Sequence, residues 1–185
     1  MENRIKDNPK NKVDAMILPV TGLPATIGDY VDFTQITQAE GLKFGIEHYR
    51  RRKPHCSGTL IWQLNDCWPG VSWSVLDFYG FPKAGYHYLR RVYAPLMASF
   101  KALEDGSVEL WITNDRAEDV TGALTVALLD MRMGEGEATL WSEEVRYAVP
   151  DNGSQPVWSG TAERIGADSS RVLVVRANGD AFPAN

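Results

Sequence analysis

The chain has 185 residues, a formal net charge of −5 and a hydrophobic fraction of 44%. That length suits one large domain or two small ones, and that apolar fraction supports a buried core. The acidic balance argues against a nucleic-acid surface, which clusters Lys and Arg, and no apolar run reaches the roughly 20 residues of a membrane span.

The N-terminal MENRIKDNPKNKVDAM is polar, has no signal-peptide core and reads as a loop. Localisation stays open, because Met1 need not be the natural start. The run DAMILPV offers a further strand. In TQITQAEGLKFGIEHYRRR, residues Ile36, Ala39, Leu42, Ile46 and Tyr49 recur at three- and four-residue spacings, which predicts a helix with one apolar face. Gly41 and Gly45 cost it about 1 kcal/mol each relative to Ala, or admit a close backbone neighbour. Glu40 and Glu47 are expected to face solvent. The basic cluster Tyr49 to His55 reads as a solvated helix end favoured by the helix dipole, closed by Pro54.

GTLIWQL follows, predicted as a strand buried between layers, with Leu60, Trp62 and Leu64 on one face and Ile61 and Gln63 on the other. Cys56 and Cys67 bracket it. Nine extended residues span roughly 30 Å, whereas a disulfide needs Cα atoms within about 7 Å, so two buried free thiols are expected. No second cysteine pair or HExxH spacing points to zinc, and nothing calls for a cofactor. NDCWPGVSWSVLDFYGFP is rich in turn formers and reads as a loop packing its own aromatics. Pro82 suits a first helical turn, and KAGYHYLRRVYAP carries Tyr86, Leu89 and Tyr93 on one stripe before Pro95.

From about Met97 the period changes to two. ASFKALE, SVELWITND, GALTVALLDM, ATLWSEEVRYAV, QPVWSGTAE and SRVLVVRAN make six strand candidates, separated by turn formers. This spacing predicts an immunoglobulin-like β-sandwich, with Trp111, Trp141 and Trp158 in its core. GEGEA at 134–138 reads as a hairpin loop, and Asn152-Gly153-Ser154 as a turn that also fits a glycosylation acceptor. His48, His55 and His87 have no Ser or Cys partner arrangement.

The chemistry-bearing stretch is GTLIWQLNDCWPGVSWS, with three of the six tryptophans beside Gln63, Asn65 and Asp66. A Trp at the C-terminal end of a buried parallel strand sits where α/β barrels build active sites, and its face can cover the C–H face of a pyranose. Read from the residues alone, the three indoles equally fit packing at a domain junction. The segment Tyr30 to Leu96, and above all WQLNDCWP, SWS and the aromatic Lys-Ala helix ending in Ala-Pro, resembles the end of the catalytic barrel in β-mannosidases of glycoside hydrolase family 2.

The resemblance implies a mixed fold: a partial (β/α)8 barrel segment (helix–strand–helix) in residues 1–95, followed by an immunoglobulin-like β-sandwich in 96–185. It implies a retaining exo-glycosidase that hydrolyses terminal non-reducing β-D-mannose residues, using two carboxylates about 5–5.5 Å apart. Neither carboxylate segment is recognisable, so no catalytic residue is assigned and the chain is expected to be an inactive piece of a longer enzyme. A whole barrel takes roughly 250 residues. By the same resemblance Trp62 walls the terminal-sugar pocket, Asn65 and Asp66 line its rim or brace the loop, and Trp68 and Trp73 shape its mouth or pack beneath it.

Sister activities (β-galactosidase, β-glucuronidase, exo-β-glucosaminidase) are the near alternatives. A non-catalytic carbohydrate-binding module using the three indoles as a stacking platform, or a purely structural region, are the distant ones. The expected partner is carbohydrate, with neither nucleic acid nor membrane. Unpaired barrel-strand edges are expected to favour self-association.

Overall fold

The computed structural model describes residues 9–56, 58–132 and 138–177. They form two units, one of residues 1–46 with 58–92 and one of residues 47–57 with 93–185. No helix among the described residues is long and apolar enough to cross a membrane.

The first unit is built from helices and a long loop. Helix α1 runs Pro9–Thr21. It takes in DAMILPV, so that run is helical rather than a strand. Its end is capped by Gly22, whose φ of 79° lets its N–H reach Leu18 O at 3.2 Å. Helix α2 runs Ile27–Arg51. Its start is a reciprocal cap: Thr26 N donates to Asp29 Oδ2 at 2.9 Å, and Asp29 N donates to Thr26 Oγ1 at 3.1 Å. Ala39 and Ile46 are buried as the periodicity predicts, but Ile36 and Tyr49, at the margins of the stripe, are exposed. Helix α3 runs Ala84–Val92 and buries Gly85, Leu89 and Val92. Tyr93 lies just beyond it and is exposed.

The second unit is a sandwich. Strands β1 (Leu96–Ala102), β2 (Val108–Asn114), β3 (Val120–Asp130), β4 (Ala138–Val149), β5 (Ser154–Gly160) and β6 (Arg171–Ala177) are interrupted once, by the short helix α4 (Ala162–Ile165). All six predicted strands form. They make two antiparallel sheets of order β1-β2-β5 and β4-β3-β6. Leu96, Leu110 and Ile112 from one sheet meet Val120, Leu124, Val126, Val145, Tyr147 and Val149 from the other. Each such aliphatic side chain contributes about 1.5–3 kcal/mol when fully buried. Gly122 faces Tyr147 across β3 and β4, and a Cβ at 122 would stand 2.5 Å from Tyr147 Oη. Only glycine leaves that ring its place.

Trp141 and Trp158 flank this core half-buried, their rings 6.2 Å apart. Glu143 of β4 accepts from Trp158 Nε1 of β5 and from both terminal nitrogens of Arg164 in α4, at 3.1 and 2.9 Å. This fork pulls the Glu143 carboxyl below the usual range, and the Arg164 guanidinium lies 4.1 Å over the Trp141 ring. Trp111 departs from the expectation of a core residue. It alternates with Leu110 and Ile112 and so occupies the opposite face of β2, where its Nε1 donates to Glu109 Oε2 at 2.8 Å.

That opposite face is covered by the end of α2. Met97, Ser99 and Thr113 there are buried, as are Glu47, Arg50 and Arg51. Arg51 Nη1 donates to Ser99 Oγ at 2.9 Å and lies 3.7 Å from Glu47 Oε2. Lys53 Nζ donates to Asn152 Oδ1 at 2.6 Å. Within the basic cluster Arg50 and Arg51 are therefore buried and partnered and Lys53 is half-buried, whereas Tyr49, Arg52 and His55 stay exposed as a solvated helix end would be, and Glu47 does not face solvent. The reason is long-range: the acceptors lie on β1, on β2 and in the turns that follow, which helix periodicity does not reveal. Asn152 adopts φ 47° in the β4–β5 turn, so Asn152-Gly153-Ser154 is a turn whose amide side chain already serves Lys53. GEGEA falls at 134–138, of which 134–137 lie outside the described residues.

Candidate functional site

The aromatic segment belongs to the first unit. Gly58 to Leu64 forms neither helix nor strand and bends at Trp62 and Leu64, with Leu60, Trp62 and Leu64 exposed and Thr59, Ile61 and Gln63 half-buried. The predicted alternation is present, but the segment is not a buried strand. An extended backbone becomes a strand only by pairing laterally. Just beyond it Asn65 forms an isolated bridge with Leu76, supported by Leu76 N donating to Leu64 O at 2.8 Å, and Leu76 forms a second with Pro82. The Trp62–Gln63 peptide is cis.

The chain then turns through Trp68 to Trp73 and returns. Of its aromatics, Phe78 and Tyr79 pack edge to face with ring centroids 5.1 Å apart, but the loop buries little of them: Trp62 is 77% exposed, Trp68 51% and Trp73 43%, and Phe78, Tyr79 and Phe81 are exposed too. The Asp77 carboxylate ties the second half of the loop, accepting from Tyr79 N at 2.9 Å and Phe81 N at 2.8 Å. Neither cysteine is in a disulfide, but Cys67 is exposed and Cys56 half-buried rather than both buried.

Asn65 is exposed, and its Nδ2 donates to Asp66 O at 3.3 Å. Asp66 is different. Its side chain is 1% exposed, and Oδ2 accepts from Ser72 Oγ at 2.7 Å and Ser74 Oγ at 2.6 Å. Lys83 Nζ lies 3.7 Å from that oxygen and donates to Ser74 Oγ at 2.8 Å. From α2, Gln38 Nε2 donates to Trp73 O at 2.8 Å, and Gln35 Oε1 accepts from Ala84 N at 2.9 Å. Sequence reasoning gave no role to Gln35, Gln38, Ser72, Ser74 or Lys83, although Ser72, Ser74 and Lys83 lie in motifs that carry the family resemblance. The signals were there: two glutamines three apart on one helix face, and two serines two apart in an extended segment, which puts both hydroxyls on one side.

Chemically, the segment combines three exposed indoles with a buried, hydrogen-bonded carboxylate. Such faces stack on apolar or C–H-rich surfaces and leave polar edges for hydroxyls. No group of three or more His, Cys, Asp or Glu among the described residues could hold a metal ion.

Residues 106–179 match the family model of the mannosidase Ig/CBM-like domain. Over 163 residues, 80% of the chain, the sequence is 31% identical to Beta-mannosidase B of Aspergillus oryzae. The chain is similar to β-mannosidases along most of its length. Beta-mannosidase B of Emericella nidulans is likewise 31% identical over 162 residues. The structure of β-D-mannosidase from Dictyoglomus thermophilum superposes with a TM-score of 0.77 at 29% identity, covering 89% of this chain. An exo-chitosanase from Amycolatopsis orientalis superposes with a TM-score of 0.65 at 17% identity over 90% of the chain and 21% of its own, a likeness of fold alone. The chain spans 19% of the fungal β-mannosidases and 20% of the bacterial one. Both the helical unit and the sandwich thus fall within a β-mannosidase-like stretch, since the matches extend well beyond 106–179.

Proposed function

We propose that the chain is part of a retaining exo-glycosidase that releases terminal non-reducing β-D-mannose, and that Trp62, Asn65, Asp66, Trp68 and Trp73 belong to its sugar site. In this reading residues 1–95 supply the last helix–strand–helix portion of a (β/α)8 barrel and residues 96–185 the immunoglobulin-like domain. The carrying observation is Trp62: an indole left 77% exposed in a chain related to β-mannosidases. Large apolar side chains held open in a group mark a surface made to be covered. The segment at Trp62 gains lateral partners from the rest of the barrel. The two reacting carboxylates are placed in the four-fifths of the relatives that this chain does not span.

The test uses the 185-residue chain. Methyl β-D-mannopyranoside is titrated against tryptophan emission, and p-nitrophenyl β-D-mannopyranoside is assayed for turnover. The expected result is a saturable emission change, absent in Trp62→Phe, and no turnover. A carbohydrate-binding module gives the same emission change with mannose and unrelated sugars alike. Turnover by the isolated chain, or no response to any sugar, overturns the reading.

A further inference from the structure

We infer that Asp66, Ser72, Ser74, Lys83 and Gln38 form a positioning network that sets the indoles of Trp68 and Trp73, and that Asp66 acts through this network rather than by touching sugar. The role in sugar binding rests on the function proposed above; the role in ordering the loop does not.

Three observations converge. First, the Asp66 carboxylate is out of reach of a ligand: its side chain is 1% exposed, and one oxygen takes two hydroxyl bonds of 2.7 and 2.6 Å. Second, those bonds close a ring in the chain. Ser72 and Ser74 flank Trp73, and Asp66 precedes Trp68 by two residues, so a single carboxylate oxygen fixes both ends of the segment that carries both indoles. Third, the ring is anchored from outside. Ser72 Oγ also lies 2.9 Å from Ser74 Oγ and accepts from Ser74 N at 3.1 Å, and Lys83 Nζ holds Ser74 Oγ at 2.8 Å. Gln38 grips the peptide between Trp73 and Ser74 through Trp73 O.

A buried carboxylate is costly unless its lone pairs are met, so it selects the one loop conformation that meets them. The charge is balanced by Lys83, whose side chain is itself largely buried. The indoles of Trp68 and Trp73 are thereby held half open at the surface. An aromatic surface that is already ordered binds with less entropic loss than one ordered by its ligand.

The experiment compares the intact chain with Ser72→Ala/Ser74→Ala and with Ser74→Thr, which keeps the hydroxyl. Amide hydrogen exchange is read for residues 67–73 and, as an internal control, for β2. The response of the tryptophan indole N–H signals to methyl β-D-mannopyranoside is read in parallel. The double variant is expected to exchange about tenfold faster in the loop with β2 unchanged, and to lose most of the mannoside response, while Ser74→Thr restores both. Unchanged loop exchange in the double variant overturns the network. Faster loop exchange with an undiminished mannoside response overturns its role at the sugar site. If the intact chain shows no mannoside response, the proposed function falls, and loop exchange alone decides the positioning role.

Discussion

Arg50 and Asp115 are joined across the second unit by a 2.7 Å bond from Nη2 to Oδ2, and the same nitrogen donates to Ala94 O at 2.8 Å. Burial draws the Arg50 guanidinium below the usual arginine range, and Asp115 opposes that shift. Arg50→Met keeps the aliphatic stem but orphans the Ala94 carbonyl and removes one partner of Asp115. It is expected to destabilise the sandwich by about 2 kcal/mol, read as hydrogen-exchange protection of β2 amides. Asp115→Asn should cost less, because position 115 is partly solvated and still offers an oxygen to Arg50.

The sandwich core gives a sharper number. Ile112 is fully buried between the sheets. Ile112→Ala is expected to cost about 2–5 kcal/mol, from lost transfer energy and the cavity left behind. Urea unfolding followed by β-sheet circular dichroism checks it.

Acid should act through Asp130. Its carboxyl is held by side-chain and backbone hydrogen bonds from the Arg132 residue and is lowered from 3.8 to about 2. Because the folded form binds the proton more weakly, its stabilisation is complete above about pH 4 and disappears as pH falls through about 2. The Glu143 carboxyl, lowered by Arg164, and the Asp168 carboxyl, lowered by Ser170, act with the same sign. Asp130→Asn should flatten the fall of the urea midpoint between pH 4 and pH 2. A slope equal to that of the parent chain would remove Asp130 from the account.

The indoles differ in accessibility, and that is measurable without any sugar. Trp62 is the most open of the three in the aromatic segment. Trp62→Phe is expected to reduce the acrylamide-quenchable share of the emission while shifting stability by less than about 0.5 kcal/mol. A large loss of stability would make Trp62 a packing residue.

The sandwich was legible because each strand states its pattern locally. In VELWITN, Leu110 and Ile112 face the core and Trp111 does not, as period two requires. What alternation cannot say is which of two apolar faces is the inner one, hence the misplacing of Trp111. Helix α1 was read as a strand from an apolar run, although Gly22 offered a helix stop; short apolar runs leave helix and strand undecided until such caps are weighed. At the site, the family motif exposed the indoles but not what holds them. Gln38 and Trp73 are 35 residues apart, and no local pattern couples a helix glutamine to a loop carbonyl.

Helix α2 has a consequence for how the molecule is made. Its last residues, with Arg50 and Arg51, leave the ribosome before any of the strands they are to cover has been synthesised. The outer face of β1-β2-β5 therefore matures only when chain translated earlier is recruited back to it. A gene trimmed to begin at β1 would yield sheets lacking their guanidinium cover, and splicing 47–57 back through a tether should restore it.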